Sequence, residues 1–278
     1  MTDGTDRADR PGVGYGRPVD AADAAKEATR HGLLASGFDR GSANLISRLG
    51  IASGSHVLEV GAGGGSLARW LADLVGPEGT VLATDVDLQF VGEQPPNVEV
   101  RVHDIARDPL PADHFDLVHA RAVLQHVSER DRALANMVSA TRPGGWVVVE
   151  DVDWLVFENQ VLPEPFATLS RTTLARSVST YGYDGYWGRR MLAAMVDAGL
   201  ESVDSRGKVT TMHGGTPSAE WYVLALERSA PSLVADGVLD EALVTAALAQ
   251  ARDPEFRVLG PLTISAWGRR PDGAADPR

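Results

Sequence analysis

The stretch Val57-Leu58-Glu59-Val60-Gly61-Ala62-Gly63-Gly64-Gly65-Ser66 decides how the rest of the chain is read. A short apolar run, interrupted by one acid, passes into four glycines within five residues. Such a run, bounded by turn residues, predicts a buried parallel strand leaving a sheet. Leu67, Trp70, Leu71, Leu74 and Val75 then recur at helical spacing, so a helix follows directly. The glycines therefore stand at a strand-to-helix turn. Backbone there can approach a bound molecule closely, and the first N–H groups of the helix point outward. A tight turn alone needs one glycine, and four are costly to order. The excess points to a ligand.

Outward from this turn the chain alternates. His56–Val60 reads as strand one and Ser66–Val75 as its helix; residues 80–84 read as strand two and Val98–Val102 as strand three. Residues 115–119 read as strand four, 129–141 as a helix and 146–149 as strand five, entered through Pro143-Gly144-Gly145. Strands alternating with helices predict a parallel sheet with right-handed crossovers. Before this core, a helix is expected from Asp20 to about Arg30, broken at Gly32, and a second over 42–49 closed by Gly50. After it, residues 152–186 break the pattern and read as a helical cap over the sheet edge. A helix over 187–198, a strand over 202–211, helices over 217–228 and 239–252, and a last strand over 262–268 complete the chain.

Ligands of an open parallel sheet bind beyond the carboxyl ends of its strands. Acids collect there. Asp85 ends strand two, Asp104 follows strand three, and Glu150 and Asp151 end strand five, with Arg121 just past strand four. Each alone is as well explained as a solvated loop residue or a cap; their succession at strand ends is the signal. A dinucleotide enzyme would also place glycines and an acid in this way. Its fingerprint, however, has a third glycine where this chain has Ser66, and Glu59 inside strand one would repel a pyrophosphate. Beside an ammonium group the same carboxylate attracts.

These motifs resemble those of class I S-adenosylmethionine-dependent methyltransferases. Glu59 to Gly65 resembles the first motif, E-x-G-x-G-x-G, and Thr84-Asp85-Val86-Asp87 the acid after strand two. Asp104-Ile105 resembles the acid after strand three, and Phe115-Asp116-Leu117-Val118-His119 with Leu124-Gln125-His126-Val127 the strand-four motif. Arg142-Pro143-Gly144-Gly145 resembles the turn before strand five. The resemblance runs closely over about residues 45–155. It implies a Rossmann-like α/β fold, a seven-stranded, mostly parallel sheet with the last strand antiparallel, carrying an N-terminal helical lid and a helical cap insertion. The implied organisation is a disordered tail over 1–13, the lid over 14–50, the methyltransferase domain over 51–270 with its cap at 152–186, and a second disordered tail over 271–278.

The implied cofactor is S-adenosyl-L-methionine. Gly61, Ala62, Gly63 and Gly65 would pass under its methionine part, and Glu59 would face its amino group through the local network. Asp85 would take the ribose hydroxyls and Val86 would lie against the adenine; Asp104 would accept from the adenine amino group, with Ile105 packed on the ring. Backbone around His119, Ala120 and Arg121 would border the carboxylate and the sulfonium. Tyr15 and Arg17 could reach that carboxylate from the lid, or simply lead into its helix.

Methyl transfer needs alignment and exclusion of water first, and a base only where the acceptor must lose a proton. His126 is the first candidate base, with Glu150 and Asp151 beside it; His31 and Glu27 on the N-terminal helices come after them. Packing or bracing accounts for each of them equally well. Trp154, Phe157, Phe166, Tyr181, Tyr183, Tyr186 and Trp187 in and beside the cap could line an acceptor pocket or form the core that a helical insertion needs.

Composition narrows the partners. The chain has 278 residues, a formal charge of −12 and no cysteine. Thiolate chemistry is excluded, a nucleic-acid substrate is disfavoured, and no metal-ligand spacing is evident. The start of the chain is polar and no apolar run has spanning length, so a cytoplasmic protein without a membrane partner is expected, in a form that includes a homodimer among its options. The expected activity is methyl transfer to a small-molecule acceptor such as an aromatic, indole or polyketide natural product. A nicotinamide-dependent oxidoreductase, and a non-methylating cyclase or binding protein that keeps the same pocket, stay open as alternatives.

Overall fold

The computed structural model describes residues 21–272. Its centre is a seven-stranded sheet of β1 (His56–Val60), β2 (Thr80–Asp85), β3 (Val98–Val102), β4 (Phe115–Arg121), β5 (Thr141–Asp153), β6 (Glu201–Lys208) and, last in the chain, β9 (Leu262–Arg269). The order is β3-β2-β1-β4-β5-β9-β6. Strands β1 to β5 pair in parallel, and β9 runs antiparallel between β5 and β6. This is the sheet that the motifs implied. The chain goes from β1 to β2 on one side and from β3 across to β4 on the other, so the switch point lies beyond the ends of β1 and β4. A ligand crevice belongs there.

Alternation along each strand supplies two apolar faces. Leu58, Val60, Val118, Ala120, Val147 and Val149 face one core, shared with Leu134 and Met137 of α3 (Arg130–Ala140) and with Met191 and Met195 of α6 (Met191–Asp197). Val57, Val81, Ala83, Leu117 and Val148 face the other, against Leu67 and Leu71 of α2 (Ser66–Val75) and Leu45 and Ile46 of α1 (Ala21–Ile46).

Several expected boundaries move. The N-terminal segment is one helix, continuous through Gly32, Gly37 and Gly41, rather than two. Each glycine costs a helix about 1 kcal/mol, but α1 is held along its length by packing on α2 and on α7 (Pro217–Ala235). Strand β5 runs on to Asp153 instead of stopping at Val149, because Glu150 to Asp153 pair with Ser265 to Leu262 of β9. Glu150 and Asp151 are therefore strand residues rather than loop residues. Helix α7 continues past Arg228 and through Pro231, held by buried Ala230 and Leu233.

Residues 152–186 contain α4 (Leu155–Glu158) and α5 (Phe166–Tyr181). They do not stand alone. Trp154, Phe157, Phe166 and Leu169 share a third core with Tyr222, Val223 and Leu226 of α7 and Val244 and Ala247 of α8 (Glu241–Arg252). A short sheet of β7 (Thr211–His213) and β8 (Arg257–Leu259) closes that core through Met212 and Val258. Strands of three residues leave no periodic trace, and neither was expected. The Asp20 cap and the tail at 1–13 lie outside the described residues. Among the described residues, no helix is long and apolar enough to cross a membrane.

Candidate active site

The glycine loop leaves β1 with left-handed backbone at Gly61, Gly63 and Gly65. At Gly61 a Cβ would stand 2.3 Å from Val123 Cγ2, and at Gly65 it would stand 2.4 Å from the Val91 carbonyl oxygen. Both positions thus require glycine on two counts, φ and space. Ala62 N–H donates to the Thr84 carbonyl at 2.9 Å, which fixes the loop against β2.

Asp85 closes on the same loop. Its carboxylate accepts from Gly63 N–H at 2.9 Å and Asp87 N–H at 3.1 Å. Burial pushes its pKa up, against those two hydrogen bonds. An incompletely solvated carboxylate at a strand end is poised to accept from further donors, such as vicinal hydroxyls. Val86 beside it is half-buried. Asp104 sits beyond the neighbouring strand, β3. One of its oxygens accepts from Ala106 N–H at 3.0 Å, shaping the turn, and Ile105 is buried in the core under it.

Glu59 and His119 meet across β1 and β4. Their register is direct, and His119 Nδ1 lies 2.6 Å from Glu59 Oε2. The other ring nitrogen, Nε2, lies 3.2 Å from Glu150 Oε2. Glu150 also accepts from Ser42 Oγ of α1 and, at 2.5 Å, from Ser265 Oγ of β9. Burial disfavours charge on His119, but Glu59 and Glu150 outweigh it and raise the ring to about 9. Burial likewise opposes charge on Glu150, and His119 with the two serines still draws it down to about 2. Ala120, beside His119 in β4, is buried in the first core. The Arg121 guanidinium donates to Ser42 Oγ at 3.0 Å and Asp39 Oδ1 at 2.6 Å, both on α1.

These positions alter the roles of the expected acid–base groups. Glu150 is occupied by three partners and does not face the cap, so it is no candidate base. Asp151 is 1% exposed, and burial raises it to about 8 against the nearby backbone N–H groups of Gln125, Val123 and Leu124. It is a neutral carboxylic acid inside the strand. His126, in the 3-10 turn Leu124–His126, is half-buried and packs on Tyr183 with ring centroids 4.9 Å apart. Burial, then Arg30 and Arg228, lower it to about 3. It is neutral at pH 7, yet far less basic than an effective general base.

The roof of the crevice is α1. His31 reaches over the glycine loop, its Nδ1 3.3 Å from where a Cβ on Gly63 would be, and stacks on Phe90 at 5.2 Å. Its Nε2 lies 3.2 Å from Glu27 Oε1. Glu27 accepts from Arg30 Nε at 3.0 Å and pairs with Arg228 of α7 at 3.2 Å. Burial works against the Glu27 charge, but the hydrogen bonds from His31 and Arg30 hold it well below the usual carboxylate range. The i, i+3 and i, i+4 spacing of Glu27, Arg30 and His31 was a usable signal for this cluster. Arg228, Ser42 and Ser265 had none. Tyr15 and Arg17 lie outside the described residues.

Three features meet here: a loop that requires glycine at Gly61 and Gly65, the Asp85 carboxylate bound to that loop, and the Glu59 carboxylate at its foot. Residues 58–149 match the family model described as methyltransferase domain. The chain is 29% identical over 149 residues to methyltransferase str2 of Strobilurus tenacellus, covering 53% of this chain and 54% of that one. It is also 29% identical over 195 residues to the ubiquinone/menaquinone biosynthesis C-methyltransferase UbiE of Ectopseudomonas mendocina, covering 61% and 75%. In fold it is similar to phosphoethanolamine N-methyltransferase 2 of Haemonchus contortus, solved with S-adenosylhomocysteine, at 16% identity and TM-score 0.53 over 84% of this chain and 52% of that one. The chain spans little more than half the length of the first curated relatives it matches. Residues 58–149 thus match a methyltransferase domain, and in fold the chain is similar to solved methyltransferases; S-adenosylmethionine is the cofactor that this resemblance implies.

Proposed function

We propose that the chain methylates a small molecule whose nucleophile sheds a proton, such as a phenol, an enol or an acidic carbon. The donor supplies an activated methyl group on a sulfonium. The protein's own task is then to hold the acceptor in line and to keep water out. Asp85 and the glycine loop would fix the nucleoside end, and Glu59 the amino group. The roof of α1 and α7 would exclude water above them.

The observation that carries the acceptor class is the charge around His126. Burial first, and then Arg30 and Arg228, which are both paired with Glu27, keep the ring neutral. The same positive field lowers the cost of an oxyanion and opposes an ammonium. A neutral His126 can still take a hydrogen bond from a hydroxyl without carrying its proton away. An aromatic acceptor also suits Tyr183 beside it. The net charge of −12 speaks against a polyanionic nucleic-acid acceptor.

The test is release of S-adenosylhomocysteine with matched phenol, indole, enol and amine acceptors. Turnover of hydroxyl or carbon acids is expected, with simple amines inert. Turnover confined to amines would overturn the acceptor class. Binding of the cofactor without turnover of any acceptor would favour a non-methylating cyclase or binding protein instead. A melting temperature raised by NAD and untouched by S-adenosylhomocysteine would return the oxidoreductase reading.

A further inference from the structure

Four polar side chains stand in a row across the carboxyl end of the sheet, on the face that α1 covers. Glu59 on β1 is in register with His119 on β4, and Glu150 on β5 is in register with Ser265 on β9. His119 lies between the two acids, completely buried, with a ring nitrogen toward each. An ionised carboxylate can only accept, so the ring donates from both nitrogens and carries a proton on each. Raised to about 9 between the two acids, the ring is protonated at neutral pH, and Glu150, drawn down to about 2, accepts from it. Ser42 and Ser265 hydroxyls stabilise Glu150. Among the described residues, the Glu59 carboxylate has His119 as its one hydrogen-bond partner, the Thr84 hydroxyl bonding to the backbone carbonyl. Its remaining capacity to accept lies at the foot of the glycine loop, two residues before Gly61.

We propose that His119 is a positioning residue for the methyl donor: its imidazolium fixes the Glu59 carboxylate below the glycine loop and joins it, through Glu150, to Ser42 of the roof helix, so that donor binding and seating of α1 are coupled. This rests on the donor reading above. Each link has a partner on a different element. Glu59 belongs to β1, Glu150 to β5, Ser265 to β9 and Ser42 to α1, and Arg121 of β4 ties Ser42 to Asp39 of α1. A ligand ammonium drawing on Glu59 loosens its hold on the ring and strengthens the ring's bond to Glu150. The change reaches α1 without any movement of the sheet. A purely structural imidazolium would stabilise the strands and leave α1 indifferent to the ligand.

The experiment uses the full chain. Nitrogen NMR of labelled histidine at pH 7.5 should show one ring with both nitrogens protonated, titrating near 9, as the coupling to Glu59 and Glu150 requires. Hydrogen exchange should show α1 amides protected by S-adenosylhomocysteine. In His119→Asn the affinity for S-adenosylhomocysteine should fall about tenfold, the loss of one charge-assisted hydrogen bond, and the ligand should no longer protect α1. Ser42→Ala should keep most of the affinity and lose the protection. A neutral His119 ring at pH 7.5 overturns the proposal, and so does His119→Asn that melts, binds and protects α1 as the wild type does. If His119→Asn does not fold, the NMR measurement and Ser42→Ala decide. Wild-type protein that ignores S-adenosylhomocysteine defeats the donor reading as well, whereas wild-type binding with an unchanged His119→Asn defeats only the coupling.

Discussion

Gly61 shows how narrow the cradle is. With Val123 Cγ2 only 2.3 Å from an added Cβ, Gly61→Ala must displace the Val123 turn as well as strain the backbone. It should lose about 1–3 kcal/mol of stability, and affinity for S-adenosylhomocysteine should fall with it; melting curves and calorimetry measure the two. Asp85→Ala removes the acceptor for Gly63 and Asp87 and, on the proposed reading, for the ribose hydroxyls. Cofactor affinity should fall roughly ten- to a hundred-fold, and unchanged affinity would refute the ribose assignment. Asp151 gives a pH signature. Its pKa is about 8 in the folded protein and 3.8 in the free side chain. Between those values the folded state holds a proton that the unfolded chain has released, so this group makes stability fall as pH rises from about 4 to 8. His119 acts in the same direction from 6.5 to about 9, its contribution being full below 6.5 and lost as the ring deprotonates. Asp151→Asn should flatten the lower part of that slope in denaturant titrations; a slope identical to wild type would mean that Asp151 is ionised in the fold. His126, lowered to about 3, should leave no limb in the rate profile between pH 5 and 8, and His126→Asn should preserve the shape of that profile.

At the scale of elements, α1 carries the largest departure from what its sequence suggested. Gly32 and Gly37 have nothing within 4 Å of an added Cβ, and both sit inside the helix. Gly37→Ala should therefore raise stability by up to about 1 kcal/mol. If flexibility of α1 matters to turnover, the same change should slow it, which steady-state kinetics will show. The strands were legible because buried parallel strands are short apolar runs that end in turn residues. The glycine loop was legible because its composition has no cheaper explanation. The partners of Glu150 were not. Ser42 is 108 residues before it and Ser265 is 115 after it, and nothing local marks either. The same reason hid the true length of β5: its last residues look like a loop of acids until β9 is laid beside them. Periodicity reports burial along one element, and it is silent about which distant element supplies a charge's counterpart.

Across the whole molecule, the aromatic residues in and beside 152–186 serve mainly as core, Tyr183 and Tyr186 packing against the third core. Trp154, Phe157, Phe166 and Trp187 are buried, the first three in the third core and Trp187 in the first. Tyr181, Tyr183 and Tyr186 remain half-buried. The third core stands apart from the glycine loop and its acids. Phe166→Ala, at a fully buried site, should cost about 3–5 kcal/mol while leaving cofactor affinity of the folded protein intact. Urea unfolding with calorimetry on the remaining folded protein tests both halves.

The position of β9 sets an order of assembly. Among the described residues this strand comes after every other, but it lies between β5 and β6 in the sheet, and it brings the Ser265 hydroxyl to Glu150. A nascent polypeptide emerging from the ribosome must therefore keep a gap open in its middle until translation has passed Arg269. Throughout that interval the carboxylate of Glu150 lacks one of its donors and β5 has a bare edge. The cluster around Glu150 is complete only once β9 has docked between its two neighbours.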